Sequence, residues 1–101
     1  MYASGSPFPV VHLGERKFVP RQCNNSYIFP GLGFGVVTSK ASRVTDEMFL
    51  TAARVLADCV NEDDFAQGSL FPPLSAVRRV NERISAAVLK VLCCVLYALC
   101  V

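Results

Sequence analysis

Apolar and polar positions alternate over short runs near the start of the chain and recur at helical spacing further on. Val10-Val11-His12-Leu13 and Arg16-Lys17-Phe18-Val19 are two brief extended runs separated by Gly14-Glu15, which predicts a hairpin with Gly14 in a tight two-residue turn, ended by Pro20. His12 is then an exposed or half-buried strand residue. Ahead of the hairpin, Tyr2-Ala3-Ser4-Gly5-Ser6-Pro7 reads as a strand end running into a turn, with small residues that let another backbone approach. From Phe29 the register changes to helical: Pro30 suits a first turn, and Gly31, Gly33 and Gly35 let the helix lie close against a neighbour.

A second helix is expected behind Thr45 as its cap, with Asp46 and Glu47 at the positive end of the dipole and Phe49, Ala52, Ala53, Leu56, Cys59 and Val60 as the buried stripe. Asn61-Glu62-Asp63-Asp64 reads as the cap and first turn of a short helical segment ending at Gly68, a solvated acidic turn without a completed metal coordination sphere. Phe71-Pro72-Pro73 breaks the chain again. From Leu74 or Ser75 the longest helix begins, with Val77, Val80, Ile84, Ala87, Val88, Val91 and Val95 on one side. Arg78, Arg79, Glu82 and Arg83 occupy the other, Arg78 and Glu82 being one turn apart. The expected architecture is α/β: a short β-hairpin and an edge-strand remnant followed by three helices, the last one longest.

Composition changes this picture in one respect. A chain of 101 residues that is 52% hydrophobic and 18% charged is apolar for a self-contained domain of its size, because small domains bury a poor fraction of their surface. Partner surface is therefore expected to be missing, with marginal stability, self-association or dependence on a missing domain as the consequence. The net charge of +2 is scattered, with Arg16-Lys17 and Arg78-Arg79 the only basic pairs, so no nucleic-acid partner is expected. After Lys90, residues 91–101 are apolar all round, yet 11 residues fall short of the roughly 20 that span a bilayer. A noncatalytic interaction or membrane-associated module using this tail is the alternative reading.

Cys23, Cys59, Cys93, Cys94 and Cys100 form neither a CxxC pair nor a metal-ligand pattern, and are read as reduced packing residues. Their odd number, and the absence of a secretory signal at the amino terminus, fit a cytoplasmic or mitochondrial protein. A dinucleotide fingerprint in the glycine-rich segment fails, since Val36 stands where the last glycine of GxGxxG belongs. What remains as candidate chemistry is the adjacent pair Asn24-Asn25 just before Pro30-Gly31. Two neutral amides at a helix start can orient a carboxylate or carboxamide, although asparagine before a helix more commonly serves the backbone as a cap or turn residue.

Four segments carry a family resemblance: YASGSPF (2–8), FVPRQCNNSYIFPG (18–31), SRVTDEMF (42–49) and QGSLFPPL (67–74). In order and separation they resemble malic enzymes, over roughly residues 1–90, with residues 91–101 a divergent tail. The resemblance implies the carboxy-terminal part of an NAD(P)-binding domain, a fragment of a doubly wound Rossmann-type fold. It also implies oxidative decarboxylation of malate to pyruvate with NAD or NADP and Mg2+ or Mn2+ in the complete enzyme, with Asn24 and Asn25 as substrate-binding positions in the active-site cleft. No cofactor is expected to bind strongly to this chain alone. Relatives usually read Pro-Gly-Gln-(Gly or Ala)-Asn-Asn, so Arg21 and Cys23 replace two small residues beside the amides, which raises an expectation of altered local geometry at Arg21. The family's catalytic tyrosine and lysine, its substrate-binding arginine, its carboxylate metal ligands and its glycine-rich loop are expected to precede Met1. No catalytic or metal residue is assigned.

Overall fold

The extended part forms a two-stranded antiparallel ribbon, β1 (Val11–Leu13) and β2 (Arg16–Phe18), with Leu13 opposite Arg16 and Val11 opposite Phe18. This computed structural model describes residues 2–99, and side chains as far as Val91. Gly14 has φ +59, the left-handed region that a side chain resists and that a two-residue hairpin turn requires at its first position. His12 is exposed, as its place on a strand suggested. Ser4 and Gln22 form an isolated parallel bridge, and the Cys23 N–H donates to the Ser4 carbonyl at 2.7 Å. That bridge is the edge-strand remnant. A Cβ on Gly5 would meet nothing within 4 Å, so the close approach expected there is not found among the described residues.

Three helices of more than two turns follow, α1 (Phe29–Thr38), α2 (Asp46–Ala57) and, after the one-turn helix α3 (Glu62–Ala66), the 23-residue α4 (Val77–Leu99). Tyr27, Leu32, Met48, Ala52, Leu56, Val80, Ile84 and Val88 form the core between them. Glycine is what lets α1 lie on α4: a Cβ on Gly31 would stand 2.5 Å from the Asn81 carbonyl oxygen, and one on Gly35 would stand 2.9 Å from Val88 Cγ1. Gly33, by contrast, faces open space and needs no such clearance.

On α2 the buried stripe keeps the expected Ala52 and Leu56 but takes in Met48 where Phe49 was expected. Met48, Ala52 and Leu56, four apart, enter the core with Val55 and Cys59 beside them, whereas Phe49 is 53% exposed and Ala53 is exposed. Thr45 occupies the cap position of α2, but its side chain makes no cap hydrogen bond. The backbone does the work there, the Met48 N–H donating to the Thr45 carbonyl at 3.1 Å. On α3 the Asn61 side chain accepts from the Asp64 N–H and the Asp64 carboxylate accepts from the Asn61 N–H, a reciprocal cap. Asp64 is 5% exposed, so the acidic turn is solvated only at its first three residues.

The long helix follows its expected face. Val80, Ile84 and Val88 are buried, and the Arg78 Nε lies 3.3 Å from Glu82 Oε1 on the outside. The apolar tail after Val91 lies outside the described side chains, so Val95, Cys93, Cys94 and Cys100 go with it. Among the described residues no helix is long and apolar enough to cross a membrane.

Candidate functional site

Asn24 lies just past the end of the parallel pair made by Ser4 and Gln22. Asn24 is extended (φ −126, ψ 135), and its Oδ1 accepts the Ser26 N–H at 2.9 Å, which starts a 3-10 turn over Asn25–Tyr27. The turn leads through Ile28 into α1. Asn24 thus does part of its work as a backbone cap, which was the alternative its sequence position left open.

The remaining amide groups have no such duty. Neither the Asn24 Nδ2 nor the Asn25 side chain has a hydrogen-bond partner among the described residues, and both residues line a concavity of about 410 Å³ together with Ile28, Phe49, Leu56 and Phe71. Asn25 is exposed and Asn24 half-buried. The wall is therefore apolar with an uncharged polar edge. Phe49, left outside the core by α2, supplies part of that wall. Cys23 is exposed on the same rim, against the expectation that it packs inside; Cys59 is half-buried, with the Arg83 Nη1 3.1 Å from its sulfur.

Behind the rim the loop from Val19 to Tyr27 is tied to the segment after α3. The Val19 N–H donates to the Gln67 carbonyl at 2.9 Å, the Ser69 hydroxyl to the Val19 carbonyl, and the Tyr27 hydroxyl to the Pro72 carbonyl. Tyr27 is fully buried and stacked on Phe71, with ring centroids 5.6 Å apart. Burial is the main reason its phenol is pushed above the usual tyrosine value; Arg21 pulls it down and Asp64 pushes it up. Arg21 is not strained, since Lys40 is the one non-glycine residue with positive φ among those described. Arg21 is therefore not forced into the left-handed region that a glycine there could adopt. Its side chain turns away from the concavity toward Asp64, 3.8 Å away, and its Nε is buried without a partner.

No group of three or more His, Cys, Asp or Glu side chains that could hold a metal ion occurs among the described residues. The glycine-rich segment lies inside α1, where Gly31 and Gly35 are packed against α4, so it offers no cradle for a pyrophosphate. No cofactor-binding step is assigned to these residues.

Sequence reasoning did not single out Asn81, yet it is the side chain that pins this rim to α4. Its Nδ2 donates to the Ser26 carbonyl at 2.7 Å and to the Val77 carbonyl at 2.8 Å, and its Oδ1 accepts the Gly31 N–H at 2.5 Å. A signal was present: Asn81 and Ser85 are polar residues on the apolar stripe of a helix, and such positions are kept satisfied by specific partners.

Residues 1–93 match the family model described as malic enzyme, NAD binding domain. Similar proteins include the chloroplastic NADP-dependent malic enzyme of Zea mays, 50% identical over 88 residues that make up 87% of this chain and 14% of that protein. The NAD-dependent malic enzyme of Pectobacterium atrosepticum is 48% identical over 84% of this chain and 15% of its own length. The chain thus spans about 15% of the relatives it matches. With the α/β arrangement and the family match over almost its whole length, this chain belongs to the malic enzyme family and represents part of its NAD-binding domain.

Proposed function

We propose that this chain carries the amide edge of a malate-binding cleft, and that it is a fragment of an NAD(P)-dependent malic enzyme with no turnover of its own. The observation that supports this is the uncommitted Asn24 Nδ2 and Asn25 side chain on an apolar concavity, at the carboxyl end of the parallel pair. Amide N–H groups can hold a malate carboxylate without adding charge to a charged site. Their contribution is orientation, the proximity part of catalysis. NAD or NADP, when bound in the complete enzyme, takes up the hydride, and the groups that would hold it and the Mg2+ or Mn2+ belong to the remainder of the family fold.

The same reading makes the complete enzyme's substrates malate and pyruvate, and its partner the rest of that fold rather than a nucleic acid. A reducing compartment suits its thiols, and the cytoplasm or mitochondrion is the location we propose; the maize relative's name adds the chloroplast to the family's range. The test is direct: purified chain is given malate, Mn2+ or Mg2+ and either dinucleotide, and reduced nicotinamide is followed. We expect none above the blank. A malate-dependent rate would show that reactive groups exist in this chain and would overturn the proposal.

A further inference from the structure

We infer that Asn81, on the long carboxy-terminal helix, is the positioning residue of the Asn24–Asn25 edge. The inference rests on the reading of that edge just given for its purpose, and on geometry for its substance. The first N–H groups of a helix have no acceptor within the helix, and Gly31, third in α1, is one of them. Asn81 Oδ1 takes that hydrogen, while both Nδ2 hydrogens go to the carbonyls of Ser26 and Val77. Every N–H of the amide is used and its oxygen is engaged.

Ser26 is the link. Its N–H is held by Asn24 Oδ1 and its carbonyl by Asn81 Nδ2, so one residue in the 3-10 turn is gripped from both sides. Asn25 precedes it directly, and the orientation of both rim amides therefore depends on where Asn81 holds Ser26. Gly31 makes the grip possible, since a Cβ there would lie 2.9 Å from Asn81 Oδ1 and closer still to its backbone oxygen. Asn81→Asp is the informative substitution: it keeps an acceptor for the Gly31 N–H and removes both donors.

The chain has four asparagines, at 24, 25, 61 and 81, so asparagine-selective 15N labelling of the full chain gives few side-chain amide signals. In Asn81→Asp we expect the Asn24 and Asn25 signals to shift while Asn61, in the separate cap of α3, stays in place. Unmoved Asn24 and Asn25 signals in the folded variant would overturn the inference. Should the variant not fold, hydrogen exchange at the Gly31 amide of the unaltered chain decides: slow exchange supports the grip, and exchange at the unstructured rate overturns it.

A chimera in which residues 1–90 replace the matching segment of the maize enzyme separates this inference from the reading it rests on. There, Asn81→Asp is expected to lower kcat/KM for malate about 10²-fold, as a small misplacement of positioning groups does, with the KM for dinucleotide unchanged. An unchanged kcat/KM alongside damaging Asn24→Ala and Asn25→Ala changes would overturn the positioning role alone. Neutral Asn24→Ala and Asn25→Ala changes, with the amide signals still shifted by Asn81→Asp, would overturn the malate contact and leave the positioning intact.

Discussion

At the scale of single residues, the three alternating glycines of α1 have separate physical roles. Gly31 and Gly35 are clearances for α4, whereas Gly33 faces open space and only weakens the helix. Gly33→Ala should therefore stabilise the chain by about 0.5–1 kcal/mol, the usual glycine deficit inside a helix. Gly35→Ala should destabilise it by about 1–3 kcal/mol through overpacking against Val88. Thermal melts of the two variants should move in opposite directions, and parallel shifts would refute the assigned packing. Tyr27 gives a second prediction at this scale. Its buried phenol ionises later in the folded chain than its ordinary value of 10.0, so the folded state holds the proton that the unfolded state releases. Its contribution is whole below pH 10.0 and is lost as the pH climbs through the raised value. Tyr27→Phe should cost about 1–3 kcal/mol at neutral pH by leaving the Pro72 carbonyl unpaired, and should flatten the alkaline fall in stability seen in urea titrations.

At the scale of elements, capping separates α2 from α3. Asn61→Ala should cost about 1 kcal/mol because it removes half of a reciprocal cap, while Thr45→Ala should change little, since Thr45 makes no side-chain cap bond. Denaturant midpoints of the two variants check this, and an equal loss from both would contradict it. The hairpin, the proline-started α1 and the face of α4 were legible in the sequence because each is decided locally, by turn chemistry or by a long periodic stripe. The α2 stripe was legible at Ala52, Leu56 and Cys59 but misjudged at Phe49 and Ala53, because Met48 and Phe49 are both apolar neighbours and only the direction in which α2 meets α4 chooses between them. Asn24 and Asn25 were legible as a candidate edge through the resemblance. Asn81 was not, because its partners Ser26 and Gly31 lie 55 and 50 residues away and no local pattern announces them.

At the scale of the whole molecule, the imbalance between buried and exposed apolar surface dominates. Phe29 is 75% exposed, Val37 77% and Phe34 65%, all on α1, while the core among the described residues is made of eight. The radius of gyration of 16.3 Å exceeds the roughly 13 Å of a compact chain of this length, as a long helix projecting from a small core would give. We expect the isolated chain to self-associate and to melt over a broad range; sedimentation with circular dichroism checks this, and a monomer with a sharp cooperative transition would contradict it. The measurement that bears most directly on function uses the maize chimera with Asn24 and Asn25 both changed to alanine. If the proposed carboxylate contact holds, this change should lower kcat/KM for malate by about 10²-fold or more while the KM for dinucleotide stays as it was. An unaltered kcat/KM for malate would mean that these two amides do not face the substrate.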